Sequence, residues 1–88
     1  MSVTITLNQV FQEAAGNREN IEVTGRTIRE CLEYVTRLYP DLKGMLFDSN
    51  GQLSALVVFR GEMLLPNQLD MPVAGAEEIR VLPLIYGG

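Results

Sequence analysis

Two residue types are missing outright and two more are nearly so. The chain has no histidine and no tryptophan, a single cysteine (Cys31) and a single lysine (Lys43). Without histidine, Ser-His-Asp and Cys-His mechanisms have no base within the chain. One cysteine excludes an internal disulfide framework and any four-cysteine metal or iron–sulfur site. A zinc site lacks the ligands it needs, so no bound metal is expected. No stretch approaches the roughly 18–20 apolar residues that cross a bilayer. The first ten residues have neither the basic start nor the long apolar core of a secretion signal, and a cytoplasmic location away from membranes is expected. A formal charge of −4 argues against nucleic-acid binding, which draws on a basic patch. An acidic chain suits a basic protein partner instead.

What is present describes one small domain. Across 88 residues, 47% are hydrophobic and 20% charged, too apolar for a disordered tail and enough for one core. Val3, Ile5 and Leu7 alternate with Ser2, Thr4, Thr6 and Asn8, the period of a half-buried strand. The alternation slips at Val10-Phe11, where a bulge or turn is expected, and residues 14–17 read as a loop. Ile21 and Val23 mark a second strand, close enough for an antiparallel hairpin, and Gly25 ends it.

A helix follows. Thr27 with Glu30 three residues on fits a capping box. Ile28, Cys31, Leu32, Val35 and Leu38 recur at steps of three and four and share one face, with Arg29, Glu33, Thr36 and Arg37 mostly opposite. Pro40 stops the helix and pushes Tyr39 out of helical geometry. Residues 41–46 fit either a short helical turn or an extended connection. Asp48-Ser49-Asn50-Gly51 is a turn. Residues 53–59 form a strand apolar on both faces, hence expected to be central or well covered. Arg60-Gly61-Glu62 turns into a short segment, Met63-Leu64-Leu65. Residues 66–76 are irregular and expected to cross the sheet edge. The last strand spans residues 79–82.

Hairpin, helix, strand, short strand, connection, strand is the order of a ubiquitin-like β-grasp. The expected class is α+β: a mixed sheet of four to five strands with one main helix packed on it. The domain covers residues 1–83, the last strand lies inside the sheet, and residues 84–88 form a flexible tail ending in Gly87-Gly88. A terminal carboxylate has a pKa of roughly 3.3–3.7, so it is ionised and a poor electrophile until activated, for instance as an acyl-adenylate. Two glycines, lacking Cβ atoms, let the backbone enter a narrow channel. A frayed end that happens to finish in glycine is the competing reading, and those two residues alone leave both open.

The sequence resembles the ThiS/MoaD-type small sulfur carriers over most of its length. The strongest part is the ending: Gly75, the acidic pair Glu77-Glu78, the apolar strand Ile79-Arg80-Val81, the Leu82-Pro83 step, then Gly87-Gly88. Thr27 to Leu42, with its Tyr39-Pro40 stop, resembles the family's helix. Val57-Val58-Phe59-Arg60-Gly61-Glu62 resembles its strand and turn, and Pro72-Val73 the step into the last turn. Arg60 stands where asparagine is common. Leu84 and Tyr86 replace a proline and a small residue, which bears on the partner more than on the chemistry.

The resemblance implies a protein-sized reagent with no active site and no permanent cofactor. The Gly88 carboxylate, with Gly87 beside it, is adenylated by a separate ubiquitin-activating-type adenylyltransferase using ATP and magnesium. A sulfur donor displaces AMP to leave a thiocarboxylate, and the tail inserts into a sulfur-accepting synthase subunit. Partner contact is expected at Pro83, Leu84, Ile85 and Tyr86 in the tail, and at Phe59, Glu77 and Glu78 on the body. The free protein is expected to be a monomer. The stretch from residue 43 to 62 is longer than expected for a thiamine-type carrier and looks more like molybdopterin-type or longer cysteine-synthesis carriers; the molybdopterin-type is favoured, with cysteine or thiamine synthesis as alternatives.

Other residues have plainer readings. Cys31 lies in the apolar stripe and reads as a core thiol rather than a persulfide relay. Glu77 and Glu78 read as a solvated turn entering the last strand, and the resemblance implies that they meet basic groups on the activating enzyme. Met45, Phe47, Phe59 and Met63 read as core or rim packing, with some share in an apolar docking patch. Lys43 offers one conjugation acceptor. Two other functions fit the same chain: a ubiquitin-like modifier joined through Gly88 to lysines, and a β-grasp interaction module with an inert tail.

Overall fold

In the computed structural model, which describes residues 2–84, the last strand occupies the middle of the sheet. Five strands, β1 (Val3–Leu7), β2 (Asn20–Val23), β3 (Ala55–Phe59), β4 (Glu62–Met63) and β5 (Glu78–Pro83), lie in the order β2-β1-β5-β3-β4. β1 and β2 form the expected antiparallel hairpin, with Ile5 opposite Ile21. β5 runs parallel to β1, pairing Ile5 with Ile79, and antiparallel to β3, pairing Phe59 with Ile79 and Ala55 with Pro83. This is a mixed, α+β β-grasp sheet. β3 is therefore one place in from an edge rather than central, shielded beyond only by the two-residue β4.

The alternation does what its period requires. Val3, Ile5, Leu7, Ile21, Val23, Val57, Phe59, Ile79 and Val81 are buried on one face. Against them lies the main helix, α2 (Ile28–Leu38), through Ile28, Cys31, Leu32 and Val35, none of them more than 0% exposed. The stripe differs from expectation at its end. Leu38 is 50% exposed, while Thr36 is buried and its hydroxyl donates to the Glu33 carbonyl at 2.9 Å. At 100° per residue these two sit on opposite margins of the stripe, and the covered margin is that of Thr36.

Thr27 caps α2 as its spacing predicts, its hydroxyl accepting from the Glu30 amide at 3.1 Å. The return bond lands one residue earlier than in a standard capping box, from the Arg26 amide to the Glu30 carboxylate at 2.9 Å. The irregular segment 66–76 supplies further first-turn acceptors: the Ile28 amide donates to the Met71 carbonyl and the Arg29 amide to that of Leu69. That segment serves as a brace for the helix start. Gly25 allows this close approach. A Cβ there would lie 2.9 Å from both the backbone nitrogen and Sγ of Cys31. Gly25→Ala is therefore expected to cost roughly 1–3 kcal/mol by overpacking, read as a lowered urea midpoint with unchanged slope.

Two stretches are more helical than their pattern suggests. Where the first alternation slips, α1 (Gln9–Gln12) starts, capped by Asn8 through the Val10 amide at 3.1 Å, and a 3₁₀ turn (Glu13–Ala15) continues it. No bulge forms; the turn of helix swings Phe11 into the core and leaves Val10 outside. Residues 40–46 resolve to a 3₁₀ turn (Pro40–Leu42) and α3 (Lys43–Leu46), burying Leu42 and Leu46. No helix among the described residues is long and apolar enough to cross a membrane.

Candidate functional site

The helices cover one face of the sheet and leave the other open. Strand register places Leu56 beside Leu82, and Val58 between Arg80 and Met63, on that open face. Leu56, Val58 and Leu82 are half-buried; Met63 is 58% exposed, and Leu84, just past the strand, is exposed. The β1–β2 side of the same face carries Thr4, Thr6, Asn20 and Glu22, with Glu78 opposite Thr4. The face is thus half apolar and half polar. Leu56, Val58 and Leu82 were not singled out by the sequence reading. Their signal was there: a strand apolar on both sides in a fold whose main helix covers only one.

The expected partner-binding residues separate into two groups. Pro83 closes β5 opposite Ala55, so the strand runs one residue past its expected end, and Leu84 follows it. Ile85, Tyr86, Gly87 and Gly88 lie outside the described residues. Glu77 and Glu78 sit at the far end of the same strand. At about 3.3 Å per residue, five steps separate Glu78 from Pro83 by roughly 17 Å. Phe59 requires a correction as a partner contact. It is 2% exposed, because it lies on the buried face of β3 within the core, and the Arg60 guanidinium lies 4.7 Å from its ring centre.

Arg60 explains why Glu77 is engaged. Phe59 and Glu62 pair across a two-residue turn in which Arg60 (φ 53°) and Gly61 (φ 78°) both adopt left-handed geometry. Such turns favour Asn-Gly; an arginine at the first position is strained. Its side chain returns to the body of the protein, donating from Nε to Glu77 Oε1 at 2.7 Å and from its terminal nitrogen to Oε2 at 3.2 Å. Glu77 also accepts the Ala74 amide at 2.7 Å. The neighbouring Glu78 accepts the Thr6 hydroxyl at 2.7 Å. Both carboxylates therefore have partners within the chain, rather than standing as a purely solvated pair.

The Arg60 guanidinium, followed by the Ala74 amide, holds the Glu77 carboxyl below its usual range. A depressed folded-state pKa stabilises the fold above the ordinary carboxylate value of about 4.3, and that contribution is lost as pH falls through the lower folded value. Below about pH 4.3, wild type should lose stability more steeply than Glu77→Gln, which has no carboxylate to protonate there. Thermal midpoints from pH 7 to pH 3 check this; parallel curves for the two proteins would remove the pair from the acid response.

Burial, then Glu30, pushes the Cys31 thiol up, away from the thiolate that a nucleophile or persulfide relay needs. No cluster of metal-ligating side chains occurs among the described residues. What remains is an open, half-apolar face on one side of the sheet and a central strand that ends at Pro83.

The parallel pairing of first and last strands around one crossing helix defines a ubiquitin-like β-grasp protein. Its structural neighbours are of the kind the ending pointed to. Small archaeal modifier protein 1 of Haloferax volcanii is 24% identical over the whole of both chains, with a TM-score of 0.85. A chain of the BexX/CysO complex of Amycolatopsis orientalis is 21% identical, matched over 98% of this chain and 99% of its own, at 0.83. A chain of the complex of subunits 1 and 2 of molybdopterin-converting factor from Helicobacter pylori is 17% identical over both full lengths, at 0.66. At these identities the likeness is one of fold. No family profile matches the sequence, and no curated protein does.

Proposed function

We propose that this protein is a sulfur carrier, a co-substrate rather than an enzyme, that works through the Gly88 carboxylate. The observation that carries the reading is the diglycine ending, five residues beyond a central strand locked on both sides. An activating enzyme of the ubiquitin-activating type would join that carboxylate to AMP from ATP, with magnesium, releasing pyrophosphate. A sulfur nucleophile then displaces AMP and leaves a thiocarboxylate. ATP and magnesium belong to that enzyme; the carrier brings only its tail and its open sheet face.

The acceptor is a sulfur-accepting synthase subunit, and two of the structural neighbours occur in complexes with a second protein. The long 43–62 stretch speaks for a molybdopterin-type or cysteine-synthesis acceptor over a thiamine-type one, and the molybdopterin-type acceptor is the one proposed. A cytoplasmic setting and a free monomer belong to the same reading.

A modifier function shares the activation step, and the neighbouring archaeal modifier protein supports it as the second reading. Incubation with an activating enzyme, ATP and a sulfur source, followed by intact mass measurement, tests the first. The expected product carries one sulfur in place of one oxygen at Gly88. A competent enzyme that never makes that exchange would defeat the carrier reading. Isopeptide adducts bearing the tail remnant in cell extract would establish the second.

A further inference from the structure

We propose that Arg80 orients the partner on the open sheet face, by pairing with a carboxylate that the partner brings. This rests on the activation reading above, in which the chain must dock on an adenylyltransferase. An overall charge of −4 points to a basic partner, but the charges on this face are disposed otherwise. Glu78 accepts the Thr6 hydroxyl, and Glu22 on β2 accepts the Ser2 hydroxyl at 3.2 Å. Glu77, where β5 begins, is held by Arg60 and the Ala74 amide. Arg80 is exposed and has neither a hydrogen bond nor an ion pair with any described residue.

Its position makes that matter. Arg80 is on the central strand, opposite Thr6 of β1 on one side and Val58 of β3 on the other. It thus stands at the boundary between the polar half of the face and the apolar half built by Leu56, Val58, Met63 and Leu82. A partner that covers the apolar half also covers the guanidinium. A charge taken out of water without a counter-charge opposes binding, so a fitting surface supplies an acceptor at that point. The planar fork of arginine matches a carboxylate through two parallel hydrogen bonds, which fixes direction as well as distance. The occupant is therefore a protein surface with an apolar strip and an Asp or Glu at its margin. Set against the apolar half, that one ion pair decides which way round the partner sits, and so where the tail is delivered.

The test uses ATP–pyrophosphate exchange by the activating enzyme, with the full-length chain as the varied substrate. Arg80→Glu is expected to raise KM by about tenfold or more with kcat little changed, and Arg80→Gln by less. Arg80→Lys should recover part of the loss, whereas Arg18→Gln, in the loop before β2, should leave KM as it is. Thermal midpoints of the Arg80 variants should match wild type, because an exposed side chain with no partner among the described residues is being changed. A KM for Arg80→Glu within about twofold of wild type, where a lost interfacial charge pair should cost far more, overturns the inference and leaves the carrier reading intact. So does a larger rise for Glu78→Gln than for Arg80→Gln, since the partner would then be reading the acid. If the wild-type chain supports no exchange at all, the activation reading falls and the inference falls with it.

Discussion

Deleting Gly87 and Gly88 should abolish thiocarboxylate formation while leaving the unfolding midpoint almost unmoved. The hydrogen-bonded ladder of β5 is complete at Pro83, opposite Ala55, and the core residues of that strand are Ile79 and Val81. Changes away from packed features usually stay within about 0.5 kcal/mol. Function should respond differently, because the carboxylate retreats to Tyr86, whose ring is too large for a channel fitted to glycine. Paired melting curves and exchange assays, with intact mass as the product readout, separate the two effects. Unfolding on deletion, or normal activation after it, would each contradict the separation of tail from fold.

Leu32→Ala should do the reverse. Leu32 is fully buried in the middle of α2, on the stripe that faces the sheet. Removing its branched end leaves a cavity, with an expected loss of roughly 2–5 kcal/mol. A small domain has only about 5–15 kcal/mol in hand, so much of its margin disappears. Activity should fall only as the folded fraction falls. Urea unfolding gives the first quantity, and exchange rate per folded molecule the second; a drop in the rate per folded molecule would mean that α2 acts in docking as well as in packing.

The order of elements could be read from the chain because each long element has its own period. Val3, Ile5 and Leu7 announce a strand, and Ile28 through Val35 a helix with Thr27 and Pro40 as its limits. Short elements escaped for the same reason. α1 has four residues, barely one turn, too few for a 3.6-residue repeat to register, although Asn8 is a good cap in hindsight. The site was half legible. The tail residues and the acidic pair stand out in sequence, but Arg60 and Glu77 are 17 positions apart and meet only because β3 and β5 pair antiparallel. Phe59 was read both as core packing and as a partner contact, and only the core reading fits its burial, because an aromatic residue in a strand looks alike from either face until the helix is placed. Arg80 gave no signal by itself; its meaning comes from what its neighbours are already bonded to.

A central final strand also ties the chemistry to protein synthesis. The β1–β2 hairpin and the β3–β4 hairpin belong to one sheet only because β5 lies between them. Until residues 78–83 have left the ribosome, the chain holds two separate ribbons, and isolated two-stranded ribbons are marginal in water. A nascent or prematurely terminated copy therefore lacks the assembled face as well as the ending. A copy clipped within β5 loses both together. A partner that gripped sheet and tail at once, as the proposed function requires, would engage only folded molecules that carry both.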